Sequence, residues 1–214
     1  MNRHDLVYVS PLAWKALVGT RVELATDPIV ASWVDRGWPM VGRRANAGEG
    51  RGVPLGLPLP PFAGKKRLAV VVRPADVVAV APSPNLASTV RAAPPSWRTT
   101  LLRLGQLASG QGVEARVFGS LAWQVITGLD YLTDSSDLDF AMYVRRDTQL
   151  CRLTEAVERI EASAPMRLDG ELIRGASAVN WRELHAGGRD VLVKTIVGIT
   201  LFSADQFISG RIPT

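Results

Sequence analysis

The sequence predicts an α+β fold in two parts: a small N-terminal α+β module (residues 1–85) and a larger domain of alternating helices and strands (96–214), joined by a Pro-rich connector (86–95). Three observations carry this. With 214 residues, 47% of them apolar, the chain can bury one large core or two small ones. Proline clusters from Pro82 to Pro95 (PSPNLASTVRAAPP), the composition of a spacer. Beyond that stretch the apolar residues switch repeatedly between the helical and the extended period, giving the order α-β-α-β-α-β.

In the N-terminal module, Asp27 to Gly37 (DPIVASWVDRG) opens on a capping Asp, places Pro at the first helical position and stops at Gly, which predicts a helix. Residues 42–64 are too broken by Gly and Pro for a long helix or a central strand. Residues 66–72 and 77–80 are short and rich in β-branched side chains, hence strands. In the second part a helix runs from Ser96 to Ser109 with Leu101, Leu102, Leu104 and Leu107 as its apolar stripe, broken by Gly110-Gln111-Gly112. A strand at 115–118 meets a Gly119-Ser120 turn, and a short helix at 121–127, in which Trp123 reads as core, is closed by Gly128. Polar residues 133–136 lead into a strand at 137–144. Residues 148–162 (TQLCRLTEAVERIEA) form an amphipathic helix in which Cys151 is expected to pack. Residues 167–173 are a further strand, and Val191 begins a final one.

Charge is unevenly spread. The chain carries 25 basic and 20 acidic residues, but residues 1–95 hold a net +6 and residues 96–214 a net −1. Between Arg36 and Arg73 eight basic side chains face only Glu49, which points to an anionic partner, either nucleic acid or a phosphate-rich small molecule. Arg43 and Arg44 lead as phosphate contacts, followed by Lys65, Lys66 and Arg67, because guanidinium forks suit phosphate oxygens. One Cys excludes a disulfide framework and a Cys-rich zinc module and suits a reducing compartment. No apolar run approaches the roughly 18–20 residues of a membrane span, and the stretch after Met1-Asn2-Arg3 lacks a secretory core, so a cytoplasmic protein is expected.

The chemistry centres on Asp137 and Asp139. Side chains two apart on a strand share a face, so both carboxylates project together while Leu138 and Phe140 turn to the core. Like charges at that spacing repel unless a cation lies between them, and hard oxygen ligands suit Mg²⁺ or Mn²⁺. Gly119-Ser120 follows a strand and opens a helix, where backbone N–H groups converge to cradle a phosphate.

This arrangement resembles the DNA polymerase β-like nucleotidyltransferase superfamily, whose signature is Gly-Ser followed by Asp-x-Asp/Glu on the neighbouring strand. The resemblance implies a mixed sheet with flanking helices, metal ions bridging carboxylates and a substrate triphosphate, and a third carboxylate on the next strand. Asp169 is the favoured third carboxylate and Glu171 the alternative, since they alternate on one strand. At a finer level the runs VFGSLAWQ (117–124), TGLDYL (127–132), SSDLDF (135–140), RHDLV (3–7), VPLGLPLP (53–60), WREL (181–184) and VLVK (191–194) resemble the malonate decarboxylase holo-acyl-carrier-protein synthase (phosphoribosyl-dephospho-CoA transferase) family. That resemblance implies transfer of phosphoribosyl-dephospho-CoA from 2′-(5″-triphosphoribosyl)-3′-dephospho-CoA to a serine of the apo acyl carrier subunit of malonate decarboxylase, with release of diphosphate. Nucleic acid is then an unexpected partner. A nucleotidyltransferase acting on a small molecule or tRNA, and a non-catalytic nucleic-acid-binding module, are the alternatives. Lys194, Trp181 and Glu183 match the family without a role that the sequence reveals.

Overall fold

The structure, a computed structural model, describes residues 3–211; Met1 and Asn2 of the N-terminal stretch lie outside them. The chain divides into two compact units, Met1–Pro82 and Ser83–Thr214.

The first unit runs β1 (Leu6–Val9), α1 (Pro11–Thr20), α2 (Val22–Ala25), α3 (Pro28–Ala31), β2 (Met40–Gly42), β3 (Val53–Pro58), β4 (Arg67–Val72) and β5 (Val77–Ala81). Its strands form one antiparallel sheet in the order β4-β3-β2-β1-β5, and Trp14, Trp33, Met40, Leu55, Leu57 and Val70 fill the core. Asp27 caps α3 as expected, its Oδ1 accepting from the N–H of Ile29 at 2.9 Å. The helix is much shorter than residues 27–37, however. After Ala31 the chain tightens into turns that bury Trp33, whose Nε1 donates to the Pro39 carbonyl at 2.9 Å and whose ring meets Trp38 edge-on at 5.0 Å. Burying two indoles outweighs two more helical turns here. A second difference is β3, an interior strand inside the Gly/Pro-rich run that argued against one. The three-residue β2 registers with Leu55 and Gly56, so neither Pro54 nor Pro58 has a register partner in it, and a missing N–H is tolerated there as on a sheet edge.

The second unit runs α4 (Leu86–Thr89), α5 (Arg98–Gly110), β6 (Glu114–Val117), α6 (Gly119–Thr127), β7 (Leu138–Tyr143), α7 (Leu150–Glu161), β8 (Leu168–Arg174), β9 (Ser177–Asn180), α8 (Trp181–His185), β10 (Asp190–Lys194), β11 (Ile199–Ser203) and α9 (Ala204–Ile208). The sheet order is β11-β10-β9-β8-β7-β6; β7 and β8 are parallel and the other neighbours antiparallel, the mixed sheet that the resemblance implied. The α-β-α-β-α-β order holds from α5 to β8. Residues 86–95, expected to be a connector, belong to this unit: Leu86, Thr89 and Ala93 are buried, and Val117 donates its N–H to the Pro84 carbonyl at 2.9 Å. The apolar residues between these prolines recur on one side of a short helix, which makes them a core segment instead of a spacer.

Alternation on β7 and β8 splits the sheet into two chemically different faces. Leu138, Phe140 and Met142 with Leu168 and Leu172 enter the main core, beneath Leu101 and Leu104 of α5 and Leu153 and Val157 of α7. Gly170 opposes Phe140, and a Cβ there would lie 2.2 Å from the ring, so the glycine is what lets the phenyl lie across β8. Leu102 and Cys151 were expected inside, yet both are exposed, since burial on α5 follows 101, 104 and 108 and on α7 follows 150, 153, 154, 157 and 160. Among the described residues no helix is long and apolar enough to cross a membrane.

Candidate active site

The face of the second sheet turned away from the main core carries the acidic residues. In the parallel pair β7–β8, Asp139 registers directly with Asp169, and Ala141 with Glu171. Registered partners on neighbouring strands point to the same side about 4.8 Å apart, so the backbone brings the Asp139 and Asp169 carboxylates together. Glu171 lies one pleat further along. It is buried, and its Oε1 accepts from Lys194 Nζ at 3.4 Å across β9. Asp169 is therefore the carboxylate opposite Asp139, and Glu171 and Lys194 form a neighbouring ion pair on the same face.

Asp137 behaves differently from expectation. The strand begins at Leu138, so the alternation invoked to set Asp137 beside Asp139 starts one residue too late, and Asp137 Oδ2 lies 3.8 Å from Arg167 Nη1. Among the described residues no group of three or more His, Cys, Asp or Glu side chains is clustered to hold a metal ion by itself. The assembled unit is a pair, Asp139 with Asp169.

Gly119 and Ser120 open α6 immediately beside this pair. Phe118 donates its N–H to the Asp139 carbonyl at 3.1 Å, fastening the end of β6 to β7. Gly119 has φ +66°, and a Cβ there would lie 1.8 Å from Asp139 Oδ2. Both facts demand glycine: the conformation is one that side chains resist, and the aspartate occupies the place where a side chain would go. The residue before α6 is Phe118, which makes no side-chain cap to its first turn, and the N–H groups of a helix's first turn are suited to an anion.

Comparison with known proteins bears on this geometry. Residues 2–83 match the family described as phosphoribosyl-dephospho-CoA transferase MdcG N-terminal domain, and residues 85–205 match its C-terminal domain. The chain belongs to the phosphoribosyl-dephospho-CoA transferase family. A phosphoribosyl-dephospho-CoA transferase of Bradyrhizobium diazoefficiens is 51% identical over 210 residues, covering 98% of this chain and 93% of that one. One of Xanthomonas campestris pv. campestris is 36% identical over 187 residues (86% and 88%), and one of Pseudomonas putida (strain GB-1) 28% identical over 200 residues (90% and 88%). No solved structure matches.

In this transferase the strand bearing Asp169 is held by residues that sequence reasoning passed over. Leu168, just before it, donates its N–H to Glu161 Oε1 at 2.8 Å, and its carbonyl accepts from Trp181 Nε1 at 2.9 Å and from Arg182 Nη2 at 3.2 Å. Arg182 also pairs with both oxygens of Glu161 and stacks on Trp181, its guanidinium 4.5 Å from the ring centroid. Burial pushes the Glu161 carboxyl up, but the Arg182 guanidinium and the Leu168 N–H outweigh it and hold the group below its ordinary range. Trp181 thus gains a role, and so does Glu183, which accepts from the Leu192 N–H at 2.8 Å and ties α8 to β10. Asn180 was also missed: its Nδ2 donates to Asp169 Oδ1 at 2.9 Å. The signal for it was weak, a lone Asn before Trp181.

The transferase's basic candidates all lie in the first unit. Each of the five N–H groups of Arg43 is engaged, to the carbonyls of Leu55 (3.1 Å), Arg44 (2.8 Å) and Val70 (3.4 Å) and to the two oxygens of Glu49 (2.8 and 2.5 Å). Glu49 is pulled down to about 2, chiefly by the Arg43 hydrogen bond and then by the Asn46 N–H. Arg43 therefore braces the loop leading to β3, and the acidic residue that seemed an exception in the basic segment is its partner. Arg44 is half-buried, while Lys65, Lys66 and Arg67 are exposed on the turn entering β4, where Lys65 takes φ +50° after Gly64.

Proposed function

We propose that this transferase moves phosphoribosyl-dephospho-CoA from 2′-(5″-triphosphoribosyl)-3′-dephospho-CoA to a serine of the apo acyl carrier subunit of malonate decarboxylase, in the cytoplasm. The serine oxygen forms a bond to the α-phosphorus, the bond from that phosphorus to the bridging oxygen breaks, and diphosphate leaves. The observation that carries this reading is the Asp139–Asp169 pair beside a glycine whose missing side chain makes room for Asp139. The name of the Bradyrhizobium relative supports the transferred group.

The residues fit a hard divalent cation. Mg²⁺ is held by one or two carboxylates plus substrate phosphates and water, a set to which Asp139 and Asp169 contribute the two carboxylates. Bound there, Mg²⁺ or Mn²⁺ would neutralise charge on the donor's phosphates. Asp169 accepts the serine proton. Ser120 and the first N–H groups of α6 receive a donor phosphate. Arg44, Lys65, Lys66 and Arg67 are a separate set of anion-binding side chains on the first unit, and Arg43 supports the loop that carries Arg44.

The test is mass spectrometry of the apo carrier subunit after incubation with donor and Mg²⁺. The wild-type protein is expected to add the mass of the prosthetic group, and Asp139→Ala to add none while keeping its fold. An unchanged carrier with the wild-type protein overturns the reading.

A further inference from the structure

We propose that Asn180 is the positioning residue for the Asp169 carboxylate, turning it to receive a divalent cation; this rests on the metal-assisted reading above. Asn180 ends β9 opposite Glu171, on the face that carries Asp139 and Asp169, and is also the residue that caps α8. Its Oδ1 accepts from the Arg182 N–H at 2.9 Å, and its Nδ2 donates to Asp169 Oδ1 at 2.9 Å. The orientation of the amide is self-determined. A backbone N–H can only donate and an ionised carboxylate can only accept, so the oxygen must face Arg182 and the nitrogen must face Asp169.

Capping alone does not require Asn. Ser, Thr and Asp cap helices comparably, but Asp has no donor, and a Ser or Thr hydroxyl stops one bond short of the amide nitrogen. Asn performs both tasks at once. The backbone next to Asp169 is already fixed at Leu168 by Glu161, Trp181 and Arg182, so the freedom left at Asp169 is rotation of its side chain. The Asn180 amide removes that freedom and occupies only Oδ1. Hydrogen bonds of this kind orient ligating carboxylates, and losing one typically weakens metal binding about 10–100-fold.

The experiment titrates Mn²⁺ alone into the full-length protein and reads unbound Mn²⁺ by electron paramagnetic resonance, alongside thermal melts, for wild type, Asn180→Ser, Asn180→Thr, Asn180→Ala and Asp139→Asn. The Ser and Thr variants keep the cap and lose the donor, so they are expected to melt within about 2 °C of wild type and to bind Mn²⁺ about tenfold or more weakly. Asn180→Ala is expected to lose the same affinity and to melt lower, because the cap is gone too. Cap-keeping variants that melt and bind Mn²⁺ like wild type, while Asp139→Asn binds weakly, overturn the positioning role and leave the metal reading standing. A wild-type protein that takes up no Mn²⁺ overturns both.

Discussion

Gly119 joins the backbone to the chemistry in a single residue. Its positive φ turns the chain from β6 into α6, and its bare Cα is the floor on which the Asp139 carboxylate rests. Gly128, at the other end of the same helix, shares the conformation (φ +72°) but has nothing within 4 Å of where a Cβ would be. The two positions separate backbone cost from site cost. Each change to Ala carries the left-handed penalty of about 1–2 kcal/mol. Only Gly119→Ala also collides with Asp139, and the cheapest relief is to swing that carboxylate away. Displacement by about 1 Å at a reacting centre costs about 10²-fold, so Gly119→Ala is expected to lose at least that in turnover, whereas Gly128→Ala melts lower with near-normal turnover. Turnover and melting curves measured side by side decide it. Equal turnover in the two variants contradicts the role given to Asp139.

At the level of elements, the site depends on how α7, β8 and α8 meet. Glu161 ends α7, Arg182 lies in the first turn of α8, and both hold Leu168 at the start of β8. The folded Glu161 carboxyl titrates below its ordinary value, so its stabilising share is complete above the unfolded value of 4.5 and fades as pH falls through the folded one. Glu161→Gln keeps an acceptor for the Leu168 N–H and removes the charge facing Arg182. It is expected to melt below wild type at pH 7, with the gap closing as pH falls below 4.5 and through the lower folded value. A gap that stays constant down to pH 3 is the opposing result. These joints also mark what the sequence could reveal. The β7–α7–β8 alternation and the Gly-Ser bend were legible because each follows from local spacing. Asp169 was already favoured over Glu171, but that it faces Asp139 depends on a parallel register set by the crossover through α7, which local spacing does not carry. Local spacing did not reveal the departure of Asp137, decided by where the β7 ladder begins, or the pairing of Arg43 with Glu49, six residues along a loop.

For the whole molecule, the instructive segment is the one whose prolines read as a spacer. Composition could not reveal that Leu86 belongs to a helix packed on α5 and β6 and that Ala93 joins the same core, since an apolar residue between prolines has the same signature in a linker as in a packed segment until its partners are known. The consequence is a prediction about where the chain can be cut. A fragment beginning at Ser83 retains the whole second core, together with the Arg116 Nη1 bond to the Ser83 carbonyl at 2.5 Å and the Val117 N–H bond to Pro84. A fragment beginning at Ser96 discards those bonds and uncovers the pocket filled by Leu86, whose burial alone stabilises by about 1.5–3 kcal/mol. Domains of this size are stable by only about 5–15 kcal/mol, so that loss is a large share of the total. Fragment 83–214 is expected to unfold cooperatively on heating, with native near-ultraviolet circular dichroism. Fragment 96–214 is expected to melt at least about 5 °C lower or without a sharp transition. If the two melt alike, residues 83–95 contribute nothing to the core and are a spacer after all.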